Sequence, residues 1–281
     1  MTGATGNVGA HVVSELRARS ASVRAFVRNA DTATARLGDV ELAVGDLADE
    51  ASVERALVGV QRVFLCAADG PDKVAHERAV IDAAAAAGVG HIVKLSAMHA
   101  GTGSPLPVFR WHGEIEAHLR RSGVPATVLA PSFFMANLLM VAGGVAHTGT
   151  LFASTAGAKV AMIDLRDVAA CAAVALTTDG HEGGTYELTG PQAITFDEVA
   201  VALGDATGRR VEYVDLTPEE SLPRFEAAGL PDWLFDHLTR VFELIREGGF
   251  AQTTGAVHAI TGHEPRSIAD FARDHAVAFL P

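Results

Sequence analysis

Cysteine and tyrosine are scarce in this 281-residue chain, at two each. Cys66 and Cys171 lie far apart in apolar surroundings, with no CxxC or Cys/His spacing near them, so buried reduced thiols are expected rather than a disulfide framework. Neither Tyr186 nor Tyr213 has a lysine four residues later, so a Tyr-x-x-x-Lys pair is missing. Basic residues are few as well: 22 Lys plus Arg stand against 34 Asp plus Glu, a formal charge of -12, and no basic run breaks the excess. That balance argues against nucleic acid and anionic membrane as partners. No long apolar span and no charged, apolar, small-residue leader opens the chain, which reads as a soluble cytoplasmic protein. HExxH and Gly-x-Ser-x-Gly are absent too. The 12 histidines include His258 and His263, but no companion ligands accompany them, so neither a metal site nor a serine hydrolase is expected.

What is present is an alternation of β-rich and alanine-rich segments, the pattern of an α/β fold with a parallel sheet and helical crossovers. Strands are expected over Ser22 to Arg28, Val40 to Leu47, Arg62 to Ala68 and His91 to Ala97. Helices fall between them, in "GAHVVSELRARS", "ASVERALVG" and "HERAVIDAAAAAGV". After Arg110, "WHGEIEAHLRRSG" reads as a helix and "PATVLAPSFF" as a strand running into a loop. The Gly, Ala and Thr-rich stretch from Met135 to Ala161 suggests an excursion from the sheet. A further helix spans Asp164 to Thr178 and a strand Gly183 to Gly190. Beyond Pro191 the composition shifts, and Thr195 with Glu198 has the spacing of a capping box.

"GATGNVG" sets Gly3, Gly6 and Gly9 at three-residue spacing before the apolar helix "AHVVSEL". The first glycine allows a tight turn, the second lets backbone N–H groups approach a phosphate, and the third lets helix and sheet pack closely. The cofactor loop is therefore read as Gly3, Thr5, Gly6, Asn7, Val8 and Gly9, with Thr5 and Asn7 adding side-chain donors. Only Met1 and Thr2 precede it, where a buried strand is normally found. At the end of the second strand, where an NAD site carries Asp or Glu for the ribose, this chain has Arg28 followed by Asn29. A guanidinium there pairs with a 2′-phosphate, so NADP(H) is favoured over NAD(H).

The serial motifs "TGATGNVG", "VRAFVR", "GDLAD", "IVKLSA", "HGEIEAHLRRSGVPATVLAPSFFMAN", "DLRDVAA", "YELTGPQAITFDEVA" and "ATGRRVEYVDLTPEE" run through nearly the whole chain. In that order they resemble the NmrA-like, or atypical short-chain dehydrogenase/reductase, family, and among it NADPH-dependent quinone reductases and triphenylmethane-dye reductases. The resemblance implies a Rossmann-type doubly wound sheet with a small, mainly helical C-terminal substrate lobe. The expected division is 1–135 with 160–190 for the dinucleotide-binding domain, and 136–159 with 191–281 for the lobe. It also implies that Asp46 and Leu47 flank the adenine, that Ala67 and Ala68 lie along the cofactor, and that Ser96 sits near the nicotinamide. Members of the family carry an aliphatic run before "TGATG", so the first strand is expected to be a truncated stub.

At the helix where ordinary short-chain dehydrogenases place Tyr and Lys, this chain places His112 and Glu116. One helical turn apart, they are read as a proton-relay pair in which the carboxylate raises the imidazole pKa, or as a plain helix-surface pair. Ser96 is read as a hydrogen-bond donor to substrate or carboxamide, or as a turn cap. Phe133, Phe134 and Asn137 are read as pocket lining, or as core. Hydride transfer to a strongly electrophilic quinone or conjugated cation needs alignment and exclusion of water more than a proton donor, which suits a chain without the Tyr/Lys pair. The leading expectation is an NAD(P)H-dependent oxidoreductase acting on a quinoid or conjugated aromatic small molecule, with secondary metabolism as a setting and a homodimer compatible with it. Two alternatives stand beside it: a non-catalytic NAD(P)-sensing regulator, and a tailoring enzyme giving net oxygenation of a quinone or hydroquinone.

Overall fold

The computed structural model describes residues 1–227 and 231–281. In chain order its helices and strands are α1 (Asn7–Ala18), β1 (Arg24–Val27), α2 (Ala30–Leu37), β2 (Glu41–Val44), α3 (Glu50–Leu57), β3 (Arg62–Leu65), α4 (Lys73–Ala86), β4 (His91–Leu95), α5 (Pro107–Ser122) and β5 (Ala126–Pro131). A 3-10 turn (Met135–Met140), α6 (Ala142–Thr148), β6 (Thr150–Ala153), α7 (Leu165–Thr177), β7 (Thr185–Leu188), α8 (Phe196–Thr207) and β8 (Glu212–Asp215) follow. The chain continues through α9 (Pro218–Ala227), α10 (Asp232–Arg246), α11 (Ala256–Thr261) and α12 (Ile268–Asp274), and a last 3-10 turn covers Ala276–Phe279. The strands are shorter than the β-rich runs of the sequence at their C-terminal ends. There the chain leaves the sheet as loops carrying Arg28, Asp46, Ala67 and Ser96.

The chain divides into two compact units, Met1–Pro131 with Leu165–Glu187, and Ser132–Asp164 with Leu188–Pro281. In the first unit β1 pairs in parallel with β2, and a second sheet runs in the order β3-β4-β5-β7, with β3/β4 and β4/β5 parallel. Met1 and Thr2 lie between the two. The Phe26 N–H donates to the Met1 carbonyl at 2.9 Å on one side, and the Thr2 N–H donates to the Phe64 carbonyl at 3.0 Å on the other. With these two residues in the place of a first strand, the order is that of the Rossmann fold, whose ligands bind beyond the carboxyl ends of the strands. Thr2 Oγ1 tightens the junction, donating to the Cys66 carbonyl at 2.8 Å and accepting from the Cys66 N–H at 2.9 Å.

Every residue of β4 is buried, as expected for a central strand covered on both faces. Ile92 joins Val63, Leu65, Val80, Ile81, Ile115 and Leu119 in one apolar cluster between the sheet and α4 and α5. Each such side chain contributes roughly 1.5–3 kcal/mol by leaving water. On α7 the small residues Ala169, Cys171, Ala172, Ala173 and Ala175 are buried, and α1 packs against this helix. The second unit pairs β6 with β8 in parallel. Its α8 starts at the expected capping box: the Glu198 N–H donates to Thr195 Oγ1 at 3.2 Å, and Glu198 Oε2 accepts from the Thr195 N–H at 2.7 Å. Such a cap stabilises a helix by about 1 kcal/mol.

Candidate functional site

The glycine loop turns sharply into α1. Gly3 has φ +63°, and a Cβ there would stand 2.7 Å from the Cys66 carbonyl oxygen; a Cβ on Gly9 would stand 2.0 Å from the Gly3 carbonyl oxygen. Both positions thus require glycine for the fold itself. Gly6 differs. It is the N-cap of α1 in extended conformation, it is exposed, and an added Cβ would meet only the Gly3 carbonyl oxygen, at 3.1 Å. No side chain caps α1 and no acidic residue occupies its first turn, so the helix presents unsatisfied N–H groups and the positive end of its dipole to solvent. This cradle fits a dinucleotide pyrophosphate, with Gly6, Asn7, Val8 and Gly9 as the residues that would hold it.

Arg28 is exposed one residue past β1. Asn29 beside it is committed to capping α2, its Oδ1 accepting from the Thr32 N–H at 2.9 Å. A second guanidinium reaches the loop from α2: Arg36 Nη2 donates to Asn7 Oδ1 at 3.4 Å. The sequence reading missed Arg36, because it lies eight positions beyond Arg28 in an ordinary helix and only the docking of α2 brings it to the glycine loop. Past β2, the exposed Asp46 accepts from the Ala48 N–H at 2.9 Å, and Ser52 Oγ bonds both the N–H and the carbonyl of Asp46. Leu47 is half-buried and packs against the cluster that contains Val53 and Leu57.

Beyond β3 and β4 lies a buried charged group that the sequence reading also missed. Lys73 and Glu77, on adjacent turns of α4, clamp the peptide of Ala67: Glu77 Oε1 accepts from its N–H at 3.0 Å, and Lys73 Nζ donates to its carbonyl at 2.8 Å. The two side chains also pair with each other at 3.1 Å, and Lys94 Nζ stands 2.9 Å from Glu77 Oε2. Lys73 further reaches the half-exposed Asp69, at 3.2 Å. Burial alone would push the Glu77 carboxyl up, but the Lys94 and Lys73 ammoniums outweigh it and hold the carboxyl below its ordinary range. For Lys94 burial wins, aided by Lys73, and its ammonium falls below the usual lysine range despite Glu77. Burial is also what pushes the Cys66 thiol up, so this cysteine is a poor nucleophile.

Ser96, His112 and Glu116 adjoin this group. His112 Nδ1 faces Lys94 Nζ at 3.1 Å, and its Nε2 lies 4.0 Å from Asp69 Oδ1. The Glu116 carboxylate accepts from Ser96 Oγ at 2.5 Å and from Arg120 Nη1 at 3.4 Å. The contacts include two that spacing did not suggest: a lysine from the sheet addresses the imidazole, and the carboxylate orients the serine. Phe133, Phe134 and Asn137 belong to the second unit. There the Ile163 N–H donates to the Phe133 carbonyl at 2.9 Å and the Asn137 N–H to the Phe134 carbonyl at 3.1 Å, with all three residues half-buried. Both cysteines are free thiols. Among the described residues no cluster of His, Cys, Asp and Glu could hold a metal ion, and no helix is long and apolar enough to cross a membrane.

The NmrA-like family model matches residues 1–271. The chain belongs to the NmrA-like family. Among its relatives is an NAD(P)H azoreductase of Xenophilus azovorans, 38% identical over 99% of this chain and 98% of the relative. The NADPH-dependent quinone oxidoreductase of Escherichia coli, solved with NADPH, superposes with a TM-score of 0.88 at 30% identity, covering 97% of this chain and 98% of that one. The triphenylmethane reductase of Citrobacter sp., solved with NADP(H), gives a TM-score of 0.87 at 25% identity, over 98% of each chain. These NmrA-like relatives match the family resemblance carried by the motifs and the Rossmann order of the sheet.

Proposed function

We propose that this NmrA-like protein is an NADPH-dependent oxidoreductase that reduces a quinoid or conjugated aromatic small molecule. The observation that carries the proposal is the uncapped N-terminus of α1 with Arg36 against its loop and Arg28 at the end of β1. The glycine cradle would hold the pyrophosphate, and the two guanidiniums would take the 2′-phosphate. A bound NADPH supplies hydride. The protein's part is to align the acceptor, exclude water and furnish a proton donor, a role we assign to His112, which faces Lys94 of β4 from α5. The azoreductase, quinone oxidoreductase and triphenylmethane reductase named above support acceptors of this type.

The test is NADPH oxidation against a panel of naphthoquinones, azo dyes and triphenylmethane dyes. Turnover with one of these classes is the expected result. Tight NADPH binding with no turnover on any of them would favour a regulator instead.

The cofactor preference is tested separately. Arg28→Asp replaces a phosphate partner with a ribose-hydroxyl acceptor, and losing a charge-assisted contact of roughly 1.5–3 kcal/mol weakens NADPH binding by one to two orders of magnitude. Calorimetry with NADPH and NADH is expected to show the preference moving toward NADH. An unchanged affinity ratio would make Arg28 a surface cation and shift the role to Arg36.

A further inference from the structure

A lysine near the end of a fully buried central strand requires an explanation. Lys94 is fully buried, and its Nζ is shared among three acceptors: Glu77 Oε2 at 2.9 Å, His112 Nδ1 at 3.1 Å and the Leu95 carbonyl. An ammonium has donors only. Its contact with His112 therefore makes Nδ1 an acceptor and leaves the ring proton on Nε2, the nitrogen on the side of the half-exposed Asp69. The groups that face Lys94 come from three elements: Lys73 and Glu77 from α4, Cys66 from the end of β3, and His112 from α5.

We propose that Lys94 is a positioning residue for His112: it fixes the imidazole as the neutral Nε2–H tautomer and replaces the proton at Nδ1 when Nε2 gives up its own. This rests on the reductase reading. A bound NADPH would supply hydride to an acceptor carbonyl, whose oxygen would then carry the displaced π pair. The His112 Nε2–H bond then breaks as the new O–H bond forms, and a Lys94 N–H bond breaks as Nδ1–H forms. The ring remains neutral through this step and the lysine ends as an amine; a solvent proton taken up at Nε2 then sends the Nδ1 proton back to Lys94 and restores both groups. Burial and the like charge of Lys73 make the Lys94 proton easier to give up, while Glu77 holds the amine in place.

The first measurement is histidine 15N NMR on the cofactor-free full chain, with the His112 signals identified by their loss in His112→Gln. The expected result is a protonated Nε2 and a bare Nδ1. The second is kinetics of Lys94→Met, in which Glu77 keeps Lys73 at 3.1 Å, and of Lys94→Met/Glu77→Gln, in which Lys73 keeps Asp69 at 3.2 Å and the Ala67 carbonyl at 2.8 Å. Both variants are expected to lose the single tautomer and about 10²-fold in kcat on ketones or weakly activated quinones, the lower end of a lost general acid, with KM for NADPH unchanged and strongly electrophilic quinones little affected. A ring proton on Nδ1 in the wild-type protein overturns the assignment, as do equal losses on every acceptor in the double variant. Wild-type protein that binds NADPH but reduces no quinoid acceptor overturns the reductase reading and the proton transfer with it. The tautomer is measured on the free chain, so the two failures are distinguishable.

Discussion

Gly6→Val is expected to abolish dinucleotide binding while leaving the chain folded. The extended backbone at Gly6 suits a β-branched residue, and among the described residues a Cβ would meet just the Gly3 carbonyl oxygen, at 3.1 Å. The branched side chain would project from the exposed end of α1, into the space through which a pyrophosphate approaches the N–H groups of Asn7, Val8 and Gly9. Gly9→Ala is the control of opposite character, because its Cβ would stand 2.0 Å from the Gly3 carbonyl oxygen and must move the loop or the helix. Calorimetry with NADPH, alongside thermal unfolding, separates the two: lost affinity with Tm retained for Gly6→Val, lowered Tm for Gly9→Ala. Undiminished NADPH affinity in Gly6→Val would remove the cofactor site from this loop.

His112→Ala carries the next largest effect, and it depends on the acceptor. If Nε2–H protonates the product, turnover on a ketone or a weakly activated quinone should fall by the roughly 10²–10⁴-fold typical of a lost general acid. A strongly electrophilic quinone should lose far less, because hydride transfer there does not wait for the proton. Glu116→Gln should show a smaller loss through Ser96, whose hydroxyl the carboxylate accepts at 2.5 Å. The measurement is kcat across acceptors of graded reduction potential with NADPH saturating. Small and equal losses would mean that His112 only fills space beside Lys94 and that alignment alone supplies the catalysis.

The glycine loop, the strands that follow it and the helix bearing His112 and Glu116 were readable in the sequence because each rests on local periodicity or on residues close in the chain. So was the capping box at Thr195. The place of Met1 and Thr2 was not readable beyond an expected stub, since their partners Phe26 and Phe64 are supplied by distant strands. The buried charges escaped for a different reason. In "HIVKLSA" a lysine among apolar residues suggests one exposed position in an alternating strand, but a strand covered on both faces has no exposed side. Lys94 had to be neutralised from another element, and nothing in the spacing of Glu77 on α4 announces that it points at β4. The pairing of His112 with Glu116 was the reasonable local guess. In the structure Glu116 meets Ser96 and Arg120, and His112 Nδ1 faces Lys94 of the sheet, a contact that the spacing on α5 does not announce.

The positive charges of the first unit differ in how much mobile salt can reach them. Arg28 and Arg36 are exposed, whereas Lys73 and Lys94 are 3% and 0% exposed. Counterions screen exposed charges over about 8 Å at physiological ionic strength, and they do not enter a packed interior. Added salt should therefore loosen the hold of the two arginines on a 2′-phosphate while the field of the buried lysines on His112 stays constant.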